Sequence, residues 1–249
     1  MFYRRFYMQR PRLRDNKGKR QFELYPLGQM PRAYICEMGK WFAYQYLIGS
    51  KDLTGSIWGD IFAAGIGGIH LDSPIGLADV TYEGQCWSTK TVKHNNPHEQ
   101  RKVRVISGRC SPDYSYGISD PHENIQKTGT AVLSIYNERI NIAKDIYEPL
   151  RAVILIRNFE TFEFALFEHD VHRYVTTEYA WHSNRNGNLE GFDATGKHCF
   201  TWQPHGSQFT VLYDVPSSVV KFSVKQPPIL DFEKTLEQVG FDSSWVTIL

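Results

Sequence analysis

Apolar and polar residues change their rhythm several times along the chain, and each change marks an element. Between Ala33 and Ile48 the apolar and aromatic positions Tyr34, Ile35, Met38, Trp41, Phe42, Tyr46 and Leu47 recur at helical steps until Gly49 and Ser50 end the run. A second short helix is predicted over Gly55 to Ala64, where Gly65, Gly67 and Gly68 break it. That glycine cluster lacks the Lys-Ser/Thr of a phosphate loop and reads as a turn. From Ala78 the pattern becomes extended: Asp79 to Tyr82, the turn pair Glu83-Gly84, then Gln85 to Val92, rich in β-branched and aromatic residues. This predicts a hairpin. A further strand is expected at Lys102 to Ser107, followed by an irregular stretch from Gly108 to His122.

Over Thr130 to Leu150 the positions Val132, Leu133, Tyr136, Ile140, Ala143, Tyr147 and Leu150 recur at three- and four-residue steps, which predicts a long amphipathic helix lying on a sheet. The continuous apolar run Ala152 to Ile156 predicts a buried strand, Thr161 to Phe167 another, and the chain then reads as turns and short strands up to Asp214. The order of helix, hairpin, strand, helix and strand is that of an α/β or α+β core, a central mixed sheet flanked by helices, with a β-rich C-terminal region. Residues 26–170 would form the core and 171–249 the β-rich part, either as a second unit or as one continuous domain.

Composition is ordinary for a globular protein, with 41% hydrophobic and 22% charged residues, and changes little. Charge position changes more. The net charge is only +1, yet within the first twenty residues Arg4, Arg5, Arg10, Arg12, Arg14, Lys17, Lys19 and Arg20 face a single acid, Asp15, so residues 1–25 read as a basic arm on an acidic body. Such an arm suits a polyanionic partner, because neutralised phosphates release counterions. It could equally be a solvated tail. The cysteines Cys36, Cys86, Cys110 and Cys199 form no CxxC pair, which speaks against a zinc ribbon or a disulfide framework and for a reducing, cytoplasmic setting, bacterial or archaeal. No apolar run is long enough to span a membrane. His169 with His172, and His198 with Cys199, assemble no four-ligand zinc set.

The chemistry concentrates in the hairpin. Ser88 and Lys90 are two residues apart and share a face of its second strand, while Asp79 opens the first, so a carboxylate and an ammonium are brought together. Phosphodiester hydrolysis needs such a pair: the carboxylate holds a hard cation such as Mg²⁺, and the lysine positions water and steadies developing charge.

The segment Gly76-Leu-Ala-Asp-Val-Thr-Tyr-Glu-Gly-Gln-Cys-Trp-Ser-Thr-Lys-Thr-Val92 resembles the PD-(D/E)XK nuclease superfamily, and in particular type II restriction endonucleases that read Ser-x-Lys. Ala78 stands where the motif has proline, and Ser88 where it has its second acid. The resemblance, which spans roughly residues 33–157, implies a PD-(D/E)XK nuclease-like core, Asp79, Ser88 and Lys90 as catalytic residues, and a displaced glutamate on the following helix. Glu138 is the candidate, with Glu123 and Glu99 as competitors. It also implies a metal-binding glutamate on the helix before the hairpin, where Glu37 suits the role better than Asp60. Mg²⁺ would bind Asp79, Glu138 and Glu37.

Base reading would come from residues 181–210, where Asn184, Arg185, Asn186, Asn188, Gln203, His205 and Gln208 lie among aromatics, since Arg matches guanine edges and Asn or Gln adenine edges. Arg101, Lys102, Arg104 and Arg109 would position phosphates. The expectation is therefore a homodimeric, sequence-specific endonuclease of double-stranded DNA. Its rivals are a non-catalytic DNA-binding protein, a β-rich ligand binder and a structure-directed or repair nuclease of the same superfamily.

Overall fold

The computed structural model describes residues 23–249, with the backbone alone for residues 73–75; the basic arm, up to Phe22, lies outside the described residues. Two helices open the described chain, α1 (Arg32–Leu47) and α2 (Gly55–Ile66), and the side chain of Thr54 caps the second by accepting the Ile57 N–H. A meander follows: β1 (Ile69–Ile75), β2 (Ala78–Tyr82) and β3 (Gln85–Lys93). Between β2 and β3, Glu83 and Gly84 both take positive φ, 43° and 87°, as a tight two-residue hairpin turn demands. After β4 (Lys102–Arg109) and the short α3 (Pro112–Tyr116) comes the long α4 (Ile125–Lys144), and then β5 (Leu150–Asn158) and β6 (Glu163–Asp170). The remainder is β7 (Ala180–Ser183), β8 (Leu189–Phe192), β9 (His198–Gln203), β10 (Gln208–Asp214), β11 (Val220–Ser223) and the short α5 (Phe232–Gln238).

The strands form two sheets in a mixed α/β architecture. The first runs in the order β1-β2-β3-β5-β6-β11 and is antiparallel except where β5 lies parallel to β3, with Lys90 opposite Ile154. The second is antiparallel, in the order β4-β10-β9-β8-β7. Every residue of β5 is buried, as expected for a strand covered on both faces. Val153 and Leu155 pack with Val80 and Trp87 against Met38 and Phe42 of α1 and Trp58, Ile61 and Phe62 of α2. Ala152, Ile154 and Ile156 point the other way, towards Val132, Tyr136 and Ile140 of α4 and the inner face of the second sheet, Val103, Val105, Phe200 and Phe209. Helix α4 is thus held between the two sheets. Its Arg139 reaches across, donating to Ser107 O on β4 (2.8 Å) and to Gly76 O in the β1–β2 turn (3.2 Å).

Although residue 170 separates the two regions drawn from the sequence, β4 precedes it and pairs along its whole length with β10, and one apolar cluster draws on both sheets. Three elements differ from expectation. β1 was not foreseen. The long helix begins five residues earlier than the apolar pattern suggests, because Asn124 accepts the Lys127 N–H and caps it there, and it ends at Lys144, so Leu150 belongs to β5. The stretch 108–122 contains α3. Among the described residues no helix is long and apolar enough to cross a membrane.

Candidate active site

Three β2–β3 pairs, Val80 with Trp87, Thr81 with Cys86 and Tyr82 with Gln85, hold the hairpin together next to its turn. Beyond Val80 the paired ladder stops, and β1 leaves β2 at the same level: His70 faces Val80, but the next pair is Ile75 with Ala78. The sheet therefore splits around Asp79. The Asp79 carboxylate bridges the split, accepting at Oδ2 the Thr89 backbone N–H (2.8 Å), the Ser88 hydroxyl (3.2 Å) and the Lys90 ammonium (2.8 Å). The ammonium also donates to Thr89 O (2.9 Å). Two of its three N–H groups are thus engaged, and the third has no acceptor among the described residues. Oδ1 of Asp79 has no donor among the described residues.

The side chains of Asp79 and Lys90 are 17% and 20% exposed, so the pair is shielded from bulk water on most sides and its attraction is stronger than that of a surface ion pair. Ser88 is buried and its hydroxyl is spent on Asp79, which makes it an orienting group. Behind it, burial together with the Asp79 charge pushes the Cys86 thiol up to about 12. Burial does the same to Cys110. Neither thiol is suited to act as a nucleophile.

The pair opens into a cleft of about 830 Å³. Its other walls are the start of α2 (Thr54, Gly55, Ser56 and Asp60), His70 and Asp72 of β1, Ile106 of β4 and Arg157 of β5. Asp60 Oδ1 lies 2.7 Å from His70 Nδ1. Arg157 grips Asp52 with Nε at 2.7 Å and Nη2 at 3.0 Å, and with Nη1 holds the Thr91 hydroxyl at 2.8 Å. The first turn of α2 brings free backbone N–H groups and the positive end of the helix dipole to this rim.

Asp52 is a stability sensor at the cleft edge. Desolvation alone would raise its pKa, but the Arg157 hydrogen bonds, the Leu53 amide and the nearby cations outweigh it and hold the carboxyl below its ordinary value. A carboxyl depressed in the folded state stabilises the fold above its unfolded pKa, about 4, and loses that contribution as pH falls through the folded value. Asp52→Asn should therefore lower stability at neutral pH and flatten its decline in acid. Urea unfolding at a series of pH values measures both, and an unchanged acid limb would refute the assignment.

The structure brings Asp79, Ser88 and Lys90 together and leaves the two glutamates elsewhere. Glu138 is exposed and accepts from Asn141 (3.0 Å); it sits two residues from both Tyr136 and Ile140, on the opposite side of α4 from its buried stripe. Glu37 pairs with Lys40 on the outer face of α1, away from the buried Met38 and Phe42. Neither lines the cleft, and the acids that do so beside Asp79 are Asp60 and Asp72. Among the described residues no three His, Cys, Asp or Glu side chains gather around one point. The alternation Ile69-His70-Leu71-Asp72 was the signal in the sequence for β1 and its two cleft residues.

Most of the polar residues proposed for base reading gather at one end of the second sheet. Arg109 faces Gln208, which faces Gln203, and because Leu189 faces Trp202 the 184–188 turn follows at the same level, with His205 in the adjoining turn. Arg185, Asn186, His205 and Arg109 are exposed. Asn188 and Gln203 are half-buried. Asn184 is committed to the turn itself: its Oδ1 accepts the Asn186 and Asn188 N–H groups and its Nδ2 donates to Glu190. Arg101 lies at the opposite end of β4, and Arg104 crosses the outer face to Thr201 (3.0 Å). No family model matches the chain, and no curated protein or solved structure does either.

Proposed function

We propose that this chain is a metal-dependent, sequence-specific endonuclease of double-stranded DNA, with a PD-(D/E)XK-like core of the Ser-x-Lys kind. The observation that carries the reading is the meeting of Asp79 Oδ2 and Lys90 Nζ at 2.8 Å where the hairpin splits open into a cleft. The order α1-α2-β1-β2-β3-β4-α3-α4-β5, with β5 parallel to β3, supports the core, because the β1–β3 meander and the helix α4 on the crossover to β5 surround that split, while β4 leaves for the second sheet.

Oδ1 of Asp79 is a hard oxygen donor suited to Mg²⁺, which accepts as few as one or two carboxylates when waters and substrate phosphate oxygens complete its shell. When bound there, Mg²⁺ would polarise the phosphoryl group and acidify water. The third N–H of Lys90 is directed to a phosphoryl oxygen, where it steadies the charge of the pentavalent transition state. Ser88 and the Thr89 amide hold Asp79 through Oδ2, the oxygen that also pairs with Lys90, which leaves Oδ1 as the oxygen that would hold the metal. The α2 N-terminus adds positive potential for the backbone of the nucleic acid, and the polar end of the second sheet is the surface for base edges. Cleavage of both strands calls for two such sites, supplied by a homodimer.

The test is to incubate the protein with phage DNA and Mg²⁺ and to separate the products by electrophoresis. Discrete fragments are expected. A mobility shift without cutting would leave a binding module in place of an enzyme, and random nicks or junction cleavage would indicate a structure-directed nuclease.

A further inference from the structure

The cleft holds a second organised pair. His70 of β1 is anchored through Nδ1 to Asp60 Oδ1 at 2.7 Å, and its side chain is mostly buried. A carboxylate on Nδ1 fixes the ring orientation and, in the neutral imidazole, places the proton on Nδ1, so that Nε2 carries the lone pair. The helix below is shaped for this ring. Gly59 sits in the interior of α2, where glycine weakens a helix, and a Cβ there would stand 2.5 Å from Nε2, 2.7 Å from Cε1 and 2.9 Å from Cδ2. Those three distances are nearly equal, as when a group sits over the face of a ring; along the Nε2 lone pair the two carbons would stand well behind the nitrogen. The imidazole therefore lies flat on Gly59 and its Nε2 edge is not blocked by that contact. His70 and Asp60 line the same cleft as Asp79 and Lys90.

Building on the nuclease reading, we propose that His70, positioned by Asp60, is the proton acceptor for the attacking water. Lys90 does not serve in this role, since its ammonium already donates to Asp79 and Thr89 and has no lone pair to offer. The step is balanced as follows. Nε2 takes a proton from water as the water oxygen bonds to phosphorus, the bond from phosphorus to the leaving sugar oxygen breaks, that oxygen is protonated by solvent, and the imidazolium returns its proton to solvent. The products are a phosphate monoester and an alcohol. Asp60 is a positioning residue, and Gly59 makes the space that the ring occupies.

The experiment measures single-turnover cleavage of phage DNA with Mg²⁺ for the unaltered protein, His70→Ala, His70→Gln, Asp60→Asn, Asp79→Ala and Lys90→Ala, together with DNA mobility shifts and melting temperatures. His70→Ala should lose on the order of 100-fold in rate while DNA affinity and melting temperature hold, and added imidazole should restore part of the rate. His70→Gln should be as slow as His70→Ala, and Asp60→Asn should fall between it and the parent. Loss of folding would not be repaired by imidazole, so rescue separates proton transfer from a structural role. Full cutting by His70→Ala, or a loss that imidazole leaves unchanged, overturns the assignment of His70. If Asp79→Ala is inactive while His70→Ala is fully active, only this inference falls; if Asp79→Ala and Lys90→Ala cut normally, or the unaltered protein does not cut, the nuclease reading falls with it.

Discussion

Lys90→Ala is expected to reduce single-turnover DNA cleavage by about 10²- to 10³-fold, the range found when one preorganised donor to a developing oxyanion is removed. The ammonium is held by Asp79 and by Thr89 O, so its position owes nothing to the substrate and it needs no reorganisation during the reaction. Its loss should leave the fold intact, because Asp79 keeps the Thr89 amide and the Ser88 hydroxyl as donors. DNA affinity in the absence of divalent metal should change by a few-fold at most, since the Lys90 charge is already paired with Asp79 and the α2 N-terminus is untouched. Rates from a gel time course and affinities from mobility shifts separate the two effects. A variant that cuts at the parental rate would remove Lys90 from the chemistry, and a variant that no longer binds DNA would make it a docking residue.

The second large effect concerns the opposite end of the first sheet. Arg151 is 1% exposed and binds Glu23, the Tyr25 carbonyl at 3.0 Å, Glu168 at 3.9 Å and Asp170 at 3.6 Å. Glu168 is equally enclosed, and its Oε1 accepts from Trp87 (2.7 Å) and Tyr25 (3.0 Å). Burial pushes its carboxyl above the ordinary range, opposed chiefly by the Arg151 charge. Arg151→Ala would strand a buried carboxylate and untie residues 23–25 from the sheet. Breaking a buried pair in this way typically costs about 3 to 5 kcal/mol. For a chain of this size that corresponds to a fall in melting temperature on the order of 10 °C. Urea denaturation provides the direct measure. A cost below about 1 kcal/mol would mean that Glu168 escapes the penalty by taking up a proton, as buried acids do when their partner is lost.

Where the residue pattern carried one dominant period, the elements were legible from it. The turn pair Glu83-Gly84 and the β-branched arms around it gave the hairpin, and the unbroken run Ala152 to Ile156 gave the central buried strand. β1 escaped because it is an edge strand in which Pro74 and polar residues interrupt the alternation, and edges tolerate such residues. Within the site, the spacing of Ser88 and Lys90 sufficed to put both near Asp79, since a strand's period of two leaves little freedom. The flanking acids were a different matter. Glu37 and Glu138 were chosen by the helix that carries them, but which way a helical residue points depends on packing, and both lie on outward faces. Asp60 and Asp72 reach the cleft because α2 and β1 border the split, an arrangement that exists only in three dimensions.

The guanidinium of Arg139 ties two places that are distant along the chain, the carbonyl of Ser107 on the outer strand of the second sheet and that of Gly76 just ahead of Asp79. Strand and turn are therefore yoked through one side chain of the helix that lies between the sheets. The edge strand of the second sheet and the turn that leads into Asp79 thus share a single anchor, and Arg139→Ala would release both at once.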